Sequence, residues 1–328
     1  MSTRTERFLV TGASGCIGSW VIRLLLDEGV EVIASDLRKD QRRLDLVSLG
    51  EVDGVRHLDL DVTDASAVSA TVAENQITHI VHLAGLQVPF CAANPPLGAQ
   101  VNVGGTVNVF EAVKAVNSGI GLAYASSGAI FGRSLAYPGG VVSDFSVPAP
   151  ETLYGVYKVA NEGTARIYAS DHGVGSIGLR PFVVYGPGRD QGRTSGPTVA
   201  MLAASAGVRY TIGLGGTSVM TYAEDCARTF IEAARAAAGT TDAVCANVPG
   251  QRMSVRNLVQ VIESVRPEAA GLIDWDASFS RTPALLGGSN IEAVIGTSHN
   301  RSVRDGVRST IEHFRRALDA GLVSAPGK

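Results

Sequence analysis

The chain has 328 residues and a mass of 34.1 kDa, enough for one large α/β domain or one with a smaller appendage. Apolar residues make up 45% and the net charge is −3, which leaves no electrostatic case for nucleic acid or an anionic membrane. Cys16, Cys91, Cys226 and Cys245 are scattered without metal-ligand spacing, and the amino terminus shows no apolar signal region or spanning stretch, so a cytoplasmic protein without a metal site is expected.

Phe8-Leu9-Val10 is a short apolar run that breaks at Thr11-Gly12-Ala13-Ser14-Gly15-Cys16-Ile17-Gly18, and Ser19 to Asp27 then carries apolar residues at helical spacing. Strand, glycine turn and helix form the context in which this pattern signals a dinucleotide site. Gly12 allows a tight turn, Gly15 lets backbone approach a pyrophosphate, and Gly18 lets helix pack on strand. Ser14, Cys16 and Ile17 belong to the same expected cofactor contacts, with the phosphates at the helix N-terminus. The second strand, Val30 to Asp36, ends on an acid that accepts hydrogen bonds from the ribose diol of NAD and repels the extra phosphate of NADP. NAD is favoured. Arg38, Lys39, Arg42 and Arg43 follow and can clamp a 2′-phosphate, although a solvated face is the commoner role for such a run.

Val55 to Asp61 supplies a third strand, with Asp61 and Val62 at the adenine edge and Asp64 placed to cap the next helix. His79 to Gly85 reads as a fourth strand whose Leu83, Ala84 and Gly85 leave room for cofactor. His79 and His82 fall on opposite strand faces and read as ordinary strand histidines. Gln87 is a candidate substrate contact. Asn102 to Asn108 opens a helix running to about Asn117, and Leu122 to Ser126 is a fifth strand ending on Ser126-Ser127. The segment Phe131 to Thr152 reads as a loop approaching the site, with Arg133 facing either solvent or a substrate anion.

In Leu153 to Glu162, a helix sets Tyr154 and Lys158 one turn apart on one face. A nearby ammonium favours the phenolate of a group whose ordinary pKa is about 10, making Tyr154 a candidate proton carrier. Ser127 can hold the substrate oxygen, and Ser126 is a further substrate candidate. Ser176 to Pro181 is a sixth strand. Gly186 to Pro197, including Arg193, reads as a mobile substrate loop. Helices follow over about Thr198–Ala206, Glu224–Ala238, Val255–Val265 and Arg304–Ala320, with a late strand at Ala243–Val248.

The alternation predicts an α/β fold, a Rossmann-type doubly wound parallel sheet with a smaller C-terminal substrate-binding lobe. Residues 1–185, with 220–250 returning, form the NAD-binding domain; 186–219 and 251–328 form the lobe.

With TGASGCIG, Asp36, DVTD, HLAG, NVGGTVN, YASSGAIFG, YGVYKVANE and RPFVVYGPG in this order, the chain resembles the extended short-chain dehydrogenase/reductase family, which contains NAD-dependent sugar epimerases and dehydratases. The resemblance implies a catalytic set of Ser127, Tyr154 and Lys158, with Lys158 also holding the nicotinamide ribose and Asn102 beside the site. It implies Phe182 to Val184 along the nicotinamide, and a homodimer built from the helices starting near Gly104 and Tyr154. Two departures bear on substrate. Gly128-Ala129 stand where dehydratases carry an Asp-Glu pair, and Ser218 stands where nucleotide-sugar enzymes place a diphosphate-gripping arginine. Losing that cation forfeits about 2–3 kcal/mol, which Arg209 or Arg281 would have to supply. The expected activity is oxidation by NAD of a secondary alcohol on a small polar molecule: a sugar, a sugar acid or another hydroxy acid. Arg133 and Arg193 are candidate carboxylate partners. The alternatives are a sugar or nucleotide-sugar epimerase using transient oxidation at the same residues, and a nucleotide-sensing binding protein without turnover.

Overall fold

A computed structural model describes residues 5–116, 119–192, 194–276, 285–287 and 289–327. The chain begins with β1 (Arg7–Thr11), α1 (Cys16–Asp27), β2 (Glu31–Asp36), α2 (Arg42–Ser48), β3 (Arg56–Asp59), α3 (Ala65–Glu74) and β4 (His79–His82). Two short helices, α4 (Val88–Ala93) and α5 (Pro95–Ala99), lead through a π-helical turn at Gln100–Gly104 into α6 (Gly105–Val116). β5 (Gly121–Ala125), the brief β6 (Val141–Val142), α7 (Leu153–His172), β7 (Ser176–Arg180) and β8 (Val183–Tyr185) follow. The remainder holds α8 (Gly196–Ala206), β9 (Tyr210–Ile212), β10 (Thr217–Tyr222), α9 (Ala223–Ala237), β11 (Ala243–Asn247), β12 (Gln251–Ser254) and α10 (Val255–Val265). It closes with β13 (Ile273–Trp275), β14 (Leu285–Leu286), α11 (Ile291–Ile295) and α12 (Val303–Asp319).

Seven strands form one parallel sheet in the order β11-β7-β5-β4-β1-β2-β3. Successive residues alternate between its faces: Phe8, Val10, Val32, Ala34 and Val81 pack under α1 and α9, while Leu9, Ile33, Ile80 and Leu122 pack under α3 and α6. The chain leaves β1 in one direction and returns to β4 on its other side. That reversal opens a crevice at the carboxyl ends of β1 and β4, where ligands bind in such sheets. A separate core joins α8, α10 and α12 to β9, β12 and β13. Strand β10 is parallel to β8 and antiparallel to β12, so residues 217–222 link this lobe to the sheet before α9 and β11 return to it.

Three local readings change. The third strand stops at Asp59, and Asp61 lies in the turn beyond it, accepting from the Thr63 amide at 2.9 Å and hydroxyl at 2.8 Å. Asn102 lies in a π turn rather than opening an α-helix, because its side-chain amide donates at 2.9 Å to the Gly98 carbonyl that an α-helical N–H would use. The first part of the 186–197 stretch, Gly186–Gly188, is buried rather than exposed: Trp20 Nε1 donates to the Pro187 carbonyl at 2.9 Å, tying it to α1.

Candidate active site

The glycine turn is held by backbone crowding. Gly12 has φ +69°, and a Cβ there would stand 2.7 Å from the Ala84 amide nitrogen; one on Gly18 would overlap the Gly12 carbonyl. Helix α1 starts at Gly15 without any side-chain cap, so its first-turn N–H groups are free for an anion. The Asp36 carboxylate is fixed at the end of β2, accepting from the Ser14 amide at 2.9 Å and the Leu37 amide at 2.8 Å. These features fit a dinucleotide: donors for its pyrophosphate and an oriented acceptor for its ribose. Two members of the basic run are engaged elsewhere, Arg42 with Asp40 at 2.5 Å and Arg43 with Asp190 at 2.8 Å.

A cavity of about 900 Å³ runs along this crevice. Gly12, Ser14, Gly15, Cys16, Ile17 and Gly18 line one end, with Asp36, Asp61 and Val62. Leu83, Ala84, Gly85 and Gln87 line its floor, and Ser127, Tyr154, Lys158, Phe182 and Val184 line the other end. Thr152 caps α7, its hydroxyl accepting from the Gly155 amide at 3.1 Å, and Gly155 lets the helix press on the Ala129 carbonyl. That contact sets the start of α7 against the turn carrying Ser127, whose hydroxyl stands near enough to the Tyr154 phenol to hold its pKa down against burial.

Lys158 is 4% exposed; its Nζ donates to the Ala125 carbonyl at 2.7 Å and stands 5.5 Å from the Tyr154 ring centre. Burial pulls the ammonium down to about 8. Burial also pushes the Tyr154 phenol above its ordinary range, opposed by the nearby Ser127 hydroxyl and the Arg189 guanidinium. The balance differs from the sequence argument, in which the ammonium lowers the phenol: here desolvation prevails, and the lysine charge is spent on a backbone carbonyl.

A glycine turn, an acid at the second strand end, and a Ser-Tyr-Lys group facing one cavity coincide with a family pattern. The model of the NAD dependent epimerase/dehydratase family matches residues 8–245. The chain belongs to that family. Its cofactor is therefore NAD. Compared with a UDP-glucose 4-epimerase of Mycolicibacterium smegmatis, this family member is 27% identical over 322 residues, 94% of this chain and 98% of that protein. A UDP-glucuronate 4-epimerase of Arabidopsis thaliana is 32% identical over 192 residues, 56% of this chain and only 44% of that protein. Among solved structures, MoeE5 in complex with UDP-glucose and NAD has a TM-score of 0.75 at 26% identity, covering 95% of this chain and 99% of that one. The L-threonine dehydrogenase of Clostridium difficile shares the fold with a TM-score of 0.82 at 21% identity, over 97% and 99% of the two chains. No described helix is long and apolar enough to cross a membrane, and no cluster of three or more His, Cys, Asp or Glu suited to a metal occurs among the described residues.

Other candidate residues of this family member lie elsewhere than their spacing suggested. Asn102 is fully buried behind the cavity wall, donating to the Gly98 and Leu86 carbonyls at 2.9 and 3.2 Å, with its Oδ1 unpartnered against Gly85. It shapes the loop after β4 and does not line the cavity. The Ser126 hydroxyl is not available to substrate, since it donates at 2.5 Å to Glu162, which is itself bound by Arg180 through two 2.7 Å bonds. Arg180 also donates to the Asp144 carbonyl at 2.8 Å, so this buried chain ties β5, α7, β7 and the 131–152 segment together. Arg133 sits outside the cavity, its side chain 59% exposed and paired with Glu151 at 3.1 Å. Arg193 and Arg281 lie outside the described residues. Arg209 donates to the Gly271 carbonyl at 3.3 Å on the surface, and Ser218 is buried away from the cavity lining.

His82 is buried between the Thr11 and Thr106 hydroxyls at 2.7 and 3.2 Å, and burial drives it down to about 3, so it is a neutral strut between β4 and α6. Gly128 is packed so that a Cβ would stand 2.6 Å from the Phe182 ring, leaving no room for the dehydratase acid. Sequence reasoning missed Arg189 and the Arg43–Asp190 pair. The only signal for Arg189 and Asp190 was position just after β8 and its Gly186-Pro187-Gly188 turn, and Arg43 was read only as part of the basic run.

Proposed function

We propose that this protein oxidises a secondary alcohol of a small polar substrate, with Tyr154 as the base. The observation that carries the reading is the gathering of Ser127, Tyr154 and Lys158 on the wall of the cavity that the glycine turn and Asp36 also line. Ser127 orients the substrate hydroxyl, and Tyr154 takes its proton as the carbonyl forms. Lys158 keeps a positive charge behind the developing phenolate and holds the nicotinamide ribose. NAD, when bound, supplies the acceptor for the hydride leaving the same carbon. Phe182, Val184 and Leu83 keep that end of the cavity apolar.

An epimerase, in which the hydride is taken and returned on opposite faces, uses the same residues. The likeness to the mycobacterial UDP-glucose 4-epimerase over 94% of this chain favours it. Water elimination is disfavoured, since Phe182 fills the place of the missing acid at Gly128. A binding protein without turnover leaves the Ser127–Tyr154–Lys158 arrangement without a purpose. Two copies pairing through α6 and α7 would cover Leu153, Val156 and Ile167, apolar side chains exposed along α7. The free thiols support a reducing, cytoplasmic setting. The test is a screen of sugars, sugar acids and hydroxy acids with NAD. Net NADH formation supports the dehydrogenase; isomerised product without net NADH supports the epimerase; the same turnover by Tyr154→Phe overturns the assignment of the base.

A further inference from the structure

Within the cavity, where its charge reaches both the Tyr154 phenol and the Cys16 thiol, stands a cation that the steps above do not use. Arg189 follows the buried Tyr185–Gly188 turn, and its Nη2 donates to the Thr194 hydroxyl at 3.0 Å while its Nε is buried with no partner. No carboxylate pairs with it among the described residues, and the adjacent Asp190 is held by Arg43 at 2.8 Å. A guanidinium has only donors, so its unmet N–H groups call for an acceptor, best an anion. The platform is rigid: Pro187 is bonded to Trp20 at 2.9 Å. A Cβ on Gly192 would stand 3.4 Å from Arg189 Nη2 and would collide with Gln87 Oε1, so the guanidinium and that amide converge on one spot.

The other cations lining the cavity are committed: Arg43 to Asp190 and, at 2.8 Å, to the Ser14 carbonyl, and Lys158 to the Ala125 carbonyl at 2.7 Å. Among the described residues none from 195 onward lines the cavity, so that part of the chain adds no cation to Arg189 for a nucleotide diphosphate. The pyrophosphate of NAD already has the uncapped N-terminus of α1. We infer that Arg189, with Gln87 and Thr194 beside it, binds a carboxylate of the substrate, so that this site takes a hydroxy acid in preference to a neutral sugar. The inference rests on the reading of Tyr154 as the base, because it places the acid next to that phenol.

The test uses full-length protein saturated with NAD and carrying Tyr154→Phe, so that binding is measured without turnover. Glycerate and gluconate are titrated calorimetrically, each against its neutral partner, glycerol or glucitol, with Arg189 intact, Arg189→Gln or Arg189→Lys. The expected result is that the acids bind in preference to their partners, that Arg189→Gln weakens the acids by about 10- to 100-fold, and that Arg189→Lys restores part of the loss. Binding of neither acid, or equal binding of acid and neutral partner, overturns the inference. A variant that instead weakens NAD by the same factor, with the acid-to-neutral ratio unchanged, also overturns it and assigns Arg189 to the pyrophosphate. The base is judged separately: wild-type turnover that survives Tyr154→Phe removes the underlying reading, whereas oxidation of neutral sugars alone removes only the inference.

Discussion

Replacing Lys158 by methionine is expected to abolish turnover while making the nucleotide-free protein more stable at neutral pH. The buried ammonium titrates near 8 against 10.5 for a free lysine, and at about 1.4 kcal/mol per pH unit this difference costs the folded state about 3 kcal/mol at pH 7. Methionine fills a similar volume without charge but leaves the Ala125 carbonyl, now bonded at 2.7 Å, without its donor, which returns about 1 kcal/mol. A net gain of about 2 kcal/mol raises the melting temperature by about 3 °C. The sign follows from proton binding. Because the folded-state value is depressed, the unfolded chain holds more protons between pH 8 and 10.5, so wild-type stability rises with pH across that window and is lowest below it. Urea denaturation of wild type and Lys158→Met at pH 7 and pH 10 measures both effects. The variant's advantage of about 2 kcal/mol at pH 7 should be gone at pH 10, where deprotonation removes most of the cost of the buried charge. A variant less stable than wild type at pH 7, or a difference that ignores pH, refutes the reasoning.

Tyr154→Phe should bind NAD as wild type does and lose about 10²- to 10⁴-fold in rate, read from NADH formation under saturating substrate. Gly12→Ala forces a methyl group to within 2.7 Å of the Ala84 amide at φ +69°, so it should cost about 1–3 kcal/mol in melting experiments and weaken NAD in calorimetry. Gly128→Asp restores an acid found in dehydratases, but its Cβ would meet Phe182 at 2.6 Å. Loss of about 1–3 kcal/mol and no water elimination, followed by product analysis, are the outcomes expected. Asp36→Asn keeps the Ser14 contact but removes the charge that excludes a 2′-phosphate. The ratio of NAD to NADP affinity should fall about tenfold.

The glycine turn, Asp36 and the helix of Tyr154 and Lys158 were legible because each is a local pattern. A strand, a turn and a helix are read within a few neighbours, and residues four apart on a helix share a face wherever that helix packs. The short β8, β10 and β12 were not legible, since their existence depends on pairing: Met220 lies opposite both Val183 and Gln251, neither of them near it in sequence.

Ser126 and Ser127 show where local reading stops. Both are hydroxyls at the end of β5; one faces the phenol and the other Glu162, and only the Glu162–Arg180 pair, remote in sequence, decides which. The arginines show it again. Arg133 and Arg189 both stand in glycine-rich stretches, yet of the two only Arg189 lines the cavity, because Pro187 docks on Trp20 167 positions earlier. By itself the sequence determined the family, through the resemblance of its ordered motifs, and the sheet and the helix face that carries the tyrosine and lysine, through periodicity and backbone geometry. Tertiary structure alone decided which hydroxyl and which cation line the cavity, and that desolvation outweighs the ammonium at Tyr154, because burial and the pairing of long side chains are set by residues distant along the chain.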